Sequence, residues 1–142
     1  MPADALIDTG AVLALLDRSD RWHQACAAAF RRLRLPLLTS EAVLTELFHL
    51  VGDKRTEVEA AWKFVRSGAL TLATIGHEEL VDIHALMTRY WDRPMDFADG
   101  TLVYLARRES LSTILTVDQA DFRTYRIEGK QQFRVLPAGE NG

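Results

Sequence analysis

A chain of 142 residues with 48% hydrophobic and 26% charged residues is expected to form one domain with its own buried core, which excludes a disordered polar chain. Its formal net charge of −3 argues against coating nucleic acid by bulk electrostatics, while leaving room for a local basic groove. The single cysteine, Cys26, excludes an internal disulfide and fits a reducing, cytoplasmic setting; no run approaches the roughly 20 apolar residues of a membrane helix, and acids at Asp4 and Asp8 without a basic region do not make a signal peptide.

Ala5-Leu6-Ile7 is a short apolar run that periodicity alone does not assign. Its position decides for a buried strand, because Asp8-Thr9-Gly10 and a helical run, Ala11 to Asp17, follow directly. Gly10 allows a tight turn, and Asp8 or Thr9 can cap the helix. After Ser19-Asp20 a second helix is predicted from about Arg21 to Leu33, then a strand at Pro36 to Thr39. Ser40 caps a third helix, Glu41 to about Val51, with Val43, Leu44, Leu47, Leu50 and Val51 as its apolar stripe. A fourth helix spans about Arg55 to Arg66, and Leu70 to Ile75 reads as the third strand. A helix from about Glu78 to Trp91 precedes Pro94, after which Asp96 is placed to cap another, carrying Ala98, Leu102, Leu105 and Ala106 on one stripe. Thr113 to Val117 is a β-branched strand ending in Asp118, followed by a helical turn through Ala120 and Phe122. Gln132 to Leu136 is the last predicted strand, and Pro137 onward is expected to fray.

Strands alternating with helices specify an α/β fold, a parallel sheet with helices on both faces. Ligands of such sheets sit outside the carboxyl ends of the strands. Asp8 follows the first strand and Asp118 the fourth. Asp99 lies in the first turn of the helix leading into that fourth strand, and Glu46 borders the apolar stripe of the helix after the second. Each has a plain alternative: Asp8 and Asp118 as caps, Glu46 as a surface acid, and Asp96 with Asp99 as a capping box in which Asp replaces Glu. Taken together they place four carboxylates at one edge. Clustered carboxylates repel unless a cation neutralises them. Oxygen-only ligands in that number suit Mg²⁺ or Mn²⁺ and suit Zn²⁺ poorly. A hard metal so held activates water and stabilises phosphate charge, so the residues point to a metal-dependent phosphoesterase.

Four segments carry a family resemblance: Leu6-Ile7-Asp8-Thr9-Gly10; Thr45-Glu46-Leu47 after Leu38-Thr39-Ser40; Met95-Asp96-Phe97-Ala98-Asp99-Gly100 followed by Leu102 and Leu105-Ala106; and Leu115-Thr116-Val117-Asp118 with Asp121-Phe122 behind. In this order and spacing the chain resembles the PIN-domain nucleases, and within them the VapC-type toxins of bacterial toxin–antitoxin pairs, over about residues 4 to 136. The resemblance implies a three-layer α/β/α sandwich with sheet order 3-2-1-4-5. It also implies a metal site made by Asp8, Glu46, Asp99 and Asp118, with a hydroxyl from Thr9 or Thr116 nearby, and RNA cleavage with Mg²⁺ or Mn²⁺. The implied partners are a small antitoxin protein and a second copy of the chain, the latter helped by the apolar helices around residues 43–65. Gly100 departs from the family, where Ala is commoner.

Other readings ask for other features. A PIN nuclease of RNA processing would lack an antitoxin, and a catalytically silent docking module would not need all four acids. A phosphoreceiver domain would need an acidic pair at the first strand and a late Lys, neither of which is evident. His23 and Cys26 share a helix face but lack two further zinc ligands. Trp22, Trp62 and Trp91 are expected in core or interface packing. Arg31, Arg32, Arg34, Arg89, Arg93, Arg107, Arg108, Arg123 and Arg126 are surface charges by default, some of them able to line a groove for RNA phosphates.

Overall fold

In this computed structural model, which describes residues 3–138, neighbouring residues of each central strand feed opposite cores. The strands are β1 (Leu6–Ile7), β2 (Leu37–Ser40), β3 (Leu70–Ala73), β4 (Thr113–Leu115) and β5 (Arg134–Leu136). They pair in parallel throughout, in the order β3-β2-β1-β4-β5 that the resemblance implies. Parallel neighbours need crossovers. These are α1 (Thr9–Leu16) with α2 (His23–Arg32), α3 (Glu41–Val51) with α4 (Arg55–Arg66), α5 (Leu80–Arg89) with α6 (Phe97–Arg108), and α7 (Gln119–Thr124).

Leu6, Leu38 and Ile114 enter one core with Ile83 of α5, Leu102 and Leu105 of α6, and Phe122 of α7. Ile7, Leu37 and Leu115 enter the other with Val12 of α1, Cys26 of α2 and Leu47 of α3. The register sets Leu6 beside both Leu38 and Ile114, so a slip of one residue would exchange the two sets. Burial on both faces explains why these strands read as unbroken apolar runs instead of alternating ones.

The element ends differ from what periodicity suggests wherever polar side chains take over the backbone. Helix α2 begins at His23, not Arg21, because Asp17 accepts from the Ser19 N–H and Asp20 from the Trp22 N–H, which closes two turns first. Helix α1 starts at Thr9, with Asp8 as its cap. Strand β3 stops at Ala73, and β4 stops at Leu115, where the Thr116 side chain turns to other partners. Gln132 pairs with Arg126 in an antiparallel bridge, so β5 begins at Arg134. Pro137 is not frayed: it is buried, and its carbonyl accepts from Gln119 Nε2 at 2.9 Å. The end of the expected tail, residues 139–142, lies outside the described residues. Trp91 is not core; it follows the end of α5 in a turn and is 80% exposed.

Two glycines are explained by close approach. Gly10 lies inside α1, where an added Cβ would stand 2.5 Å from Val117 Cγ2. A tight turn is therefore not what it serves; it lets α1 pack under the segment after β4. Gly10→Ala is expected to destabilise the fold by about 1–3 kcal/mol, because stiff, β-branched Val117 must move. Denaturant titration checks this, and a concurrent Val117→Ala should recover part of the loss. At Gly100 an added Cβ would meet Ile83 Cγ2 at 3.1 Å, so α6 gives up helix propensity, about 1 kcal/mol, for its approach to α5.

Candidate active site

All five strands run the same way, so everything following a strand lies at one edge. Asp8 comes directly after β1, its extended backbone (φ −100°, ψ 165°) making it the cap of α1. One carboxylate oxygen accepts from the Thr9 N–H at 2.7 Å and the other from the Thr116 hydroxyl at 3.0 Å. That hydroxyl in turn accepts from the Asp118 N–H at 2.9 Å. The Thr9 hydroxyl donates to Glu46 Oε1 at 2.6 Å, which holds α3 to the start of α1. The chain Glu46–Thr9–Asp8–Thr116–Asp118 thus ties three acids together through two threonines.

Asp99 arrives from the far side. Asp96 caps α6 by accepting from the Asp99 N–H at 2.8 Å. The Asp99 carboxylate turns toward Tyr125, whose hydroxyl donates to Oδ2 at 3.1 Å, so the Asp96–Asp99 pair is not a reciprocal capping box. Asp96 itself is exposed.

Mutual repulsion links acids that the hydrogen bonds leave apart, Asp99 with Asp8 among them. Asp8 is only 3% exposed, and burial, followed by the charges of Asp118 and Glu46, raises its carboxyl to about 7 against the bond from Thr9. Burial, then the charges of Asp8 and Asp96, raises Asp99 to about 8. Asp118 is raised by burial and by the charges of Asp121 and Glu46. Burial also raises the Tyr125 hydroxyl, and the neighbouring Asp99 adds to it, so this group stays a donor. Asp121 is paired with Arg93 at 2.6 Å, whereas Asp8, Glu46, Asp99 and Asp118 form no salt bridge among the described residues.

Among the described residues no three His, Cys, Asp or Glu side chains stand at the mutual spacing of a finished metal shell. Hydroxyls of Thr9, Thr116 and Tyr125 hold the carboxylates instead. The donor set is nonetheless all oxygen, partly buried and without a basic counterpart, which fits a hard divalent ion. A cleft of about 680 Å³ opens alongside, walled by Ser40, Thr45, His49, Ile75 and Phe97. It reaches Glu46 and Asp96, while Asp8, Asp99 and Asp118 lie outside its lining.

Several of the other residues singled out by type have structural partners. The His23 ring nitrogen Nδ1 lies 2.7 Å from the Ala14 carbonyl, and Cys26 is buried in the core. Trp62 stacks on Phe48 with ring centroids 4.7 Å apart, and Trp22 packs against the second core. Arg34 pairs with Asp4, Arg108 with Glu79, and Arg126 with backbone carbonyls. Tyr125 escaped the sequence reading, since nothing periodic links it to a carboxylate 26 residues away.

Comparison with known proteins agrees with this fold. The PIN domain family matches residues 5–128. Over 135 residues the chain is 34% identical to Ribonuclease VapC26 of Mycobacterium tuberculosis, covering 93% of this chain and 99% of that protein. The crystal structure of M. tuberculosis VapC20, described as a Sarcin-Ricin loop cleaving toxin, superposes with a TM-score of 0.67 at 21% identity, over 78% of this chain and 86% of that one, and shows the shared fold.

Proposed function

Because this chain belongs to the PIN domain family, we propose that it is a VapC-type toxin ribonuclease, hydrolysing RNA phosphodiester bonds at the edge where Asp8, Glu46, Asp99 and Asp118 gather. The observation that carries the reading is Asp8: a carboxylate 3% exposed, faced by the charges of Asp118 and Glu46 and held by hydrogen bonds from Thr9 and Thr116. Such a group is relieved either by a proton or by a cation. Mg²⁺ or Mn²⁺ bound there would supply an activated water and offset charge on the phosphate under attack. The chain's own residues do the holding. Thr116 and Thr9 orient Asp8, Asp118 and Glu46. Asp96 fixes where α6 begins and so where Asp99 stands.

Purified protein is expected to lose RNA cleavage in chelator and regain it with Mg²⁺ or Mn²⁺. Sequencing of RNA 5′ ends after brief induction in cells is expected to show new, discrete ends; full activity in chelator would overturn the metal role, and no new ends the ribonuclease reading. The antitoxin partner follows from the likeness to VapC26, and a basic side chain inserted among the carboxylates would replace the cation's charge. We further propose a cytoplasmic homodimer, supported by exposed Leu50 on α3 and Trp62 on α4. Light scattering at high micromolar concentration should report a dimer mass, and a monodisperse monomer there would refute it.

A further inference from the structure

We infer that Tyr125 is the positioning residue for Asp99, so that the short helix α7 sets the separation between Asp99 and Asp118. This rests on the reading of both acids as metal ligands.

Tyr125 is fully buried. Its ring packs edge-on against Tyr90, with centroids 5.0 Å apart at 68°, and against Phe122, 5.1 Å apart at 85°. Phe122 is wedged in turn against Phe133 at 5.5 Å. A ring clamped on two sides gives its hydroxyl one place to be, and that place is 3.1 Å from Asp99 Oδ2. At the other end of α7, Asp118 occupies the capping position, and its N–H is tied to the Thr116 hydroxyl that also holds Asp8. One helix of six residues therefore carries an acid at its start and, immediately past its end, the donor that orients another acid from α6. The hydroxyl engages one oxygen, Oδ2, of a carboxylate that is close enough to Asp8 and Asp118 to feel their charges. Partners that orient a ligand in this way commonly govern metal affinity by 10–100-fold.

The test is calorimetric titration of Mn²⁺ alone into the full chain. Tyr125→Phe keeps the ring and deletes the hydroxyl, so it should fold and bind Mn²⁺ about 10–100-fold more weakly than wild type. Tyr90→Phe removes a hydroxyl from the same aromatic cluster that accepts from the Arg126 N–H, and should bind as wild type does. In an Asp99→Asn background, Tyr125→Phe should cost nothing further. Wild-type affinity in Tyr125→Phe, or equal losses in both tyrosine variants, would overturn the inference while leaving the metal reading standing. No Mn²⁺ binding by wild type would overturn both. An independent readout avoids substitution altogether: with the three tyrosines labelled at the ring Cζ, addition of Mg²⁺ should shift the Tyr125 resonance and leave that of Tyr104, which is bonded to Glu79, in place. An unmoved Tyr125 signal at saturating Mg²⁺ would overturn the proposal even if the variant did not fold.

Discussion

Asp99→Asn is expected to lower RNA cleavage by more than roughly 100-fold, while Asp96→Asn keeps activity within a few-fold of wild type. The two acids stand in the same first turn of α6, yet they do different things. Asp96 caps through one oxygen that accepts from the Asp99 N–H, a bond Asn makes equally well. Asp99 has its carboxyl raised to about 8 by burial and by the charges of Asp8 and Asp96, so without metal it already carries a proton for much of the time near neutrality. Asn resembles that protonated form and still accepts from Tyr125. Folding should therefore survive Asp99→Asn, or improve without metal, against a helix-dipole loss of roughly 0.3–1 kcal/mol. What Asn lacks is the charge that would meet a cation. Initial rates on RNA with Mg²⁺, alongside melting temperatures, separate the outcomes. Dead Asp96→Asn with active Asp99→Asn would reverse the assignment, and equal loss in both would bring Asp96 into the site.

Metal-free protein is expected to grow less stable as pH rises from about 5 to 8. Asp8 and Asp99 have folded-state values of about 7 and about 8, above the ordinary 3.8. Between 3.8 and those values the folded chain holds more protons than the unfolded one, so stability falls as pH climbs through that window and levels off above it. For Asp8 alone the full effect is on the order of 4 kcal/mol. Glu79 behaves oppositely: the Tyr104 hydroxyl, the Gly76 N–H and Arg108 hold it down at about 2, so its contribution is present above 4.5 and lost as pH falls toward 2. With two raised acids against one lowered one, metal-free stability should peak at about pH 4, close to the ordinary aspartate value of 3.8. Millimolar Mg²⁺ or Mn²⁺ should raise the melting temperature strongly at pH 8 and little at pH 5, where protons already neutralise the acids. A metal-free melting temperature that is flat or rises between pH 5 and 8 would contradict the burial of these charges, and indifference to metal at pH 8 would contradict the site.

The sequence by itself determined the order of strands and helices and the two-sided sheet, because apolar runs and caps are local signals. It also placed each acid relative to a strand end: Asp8 and Asp118 next to β1 and β4, and Asp99 one turn into the helix entering β4. In a parallel sheet that adjacency already implies a shared edge. Helix and strand ends were less legible, because they depend on which polar side chain captures the backbone, as Asp20 does ahead of α2. Only the tertiary structure decided that Gly10 serves Val117 and not a turn, and that Trp91 stands in solvent. The same is true of the carboxylates' holders: Asp8 meets Thr116 across 108 positions and Asp99 meets Tyr125 across 26. Contacts of that kind have no period and no local signature. They exist because the crossovers return distant segments to one edge, where buried carboxylates need hydroxyl donors.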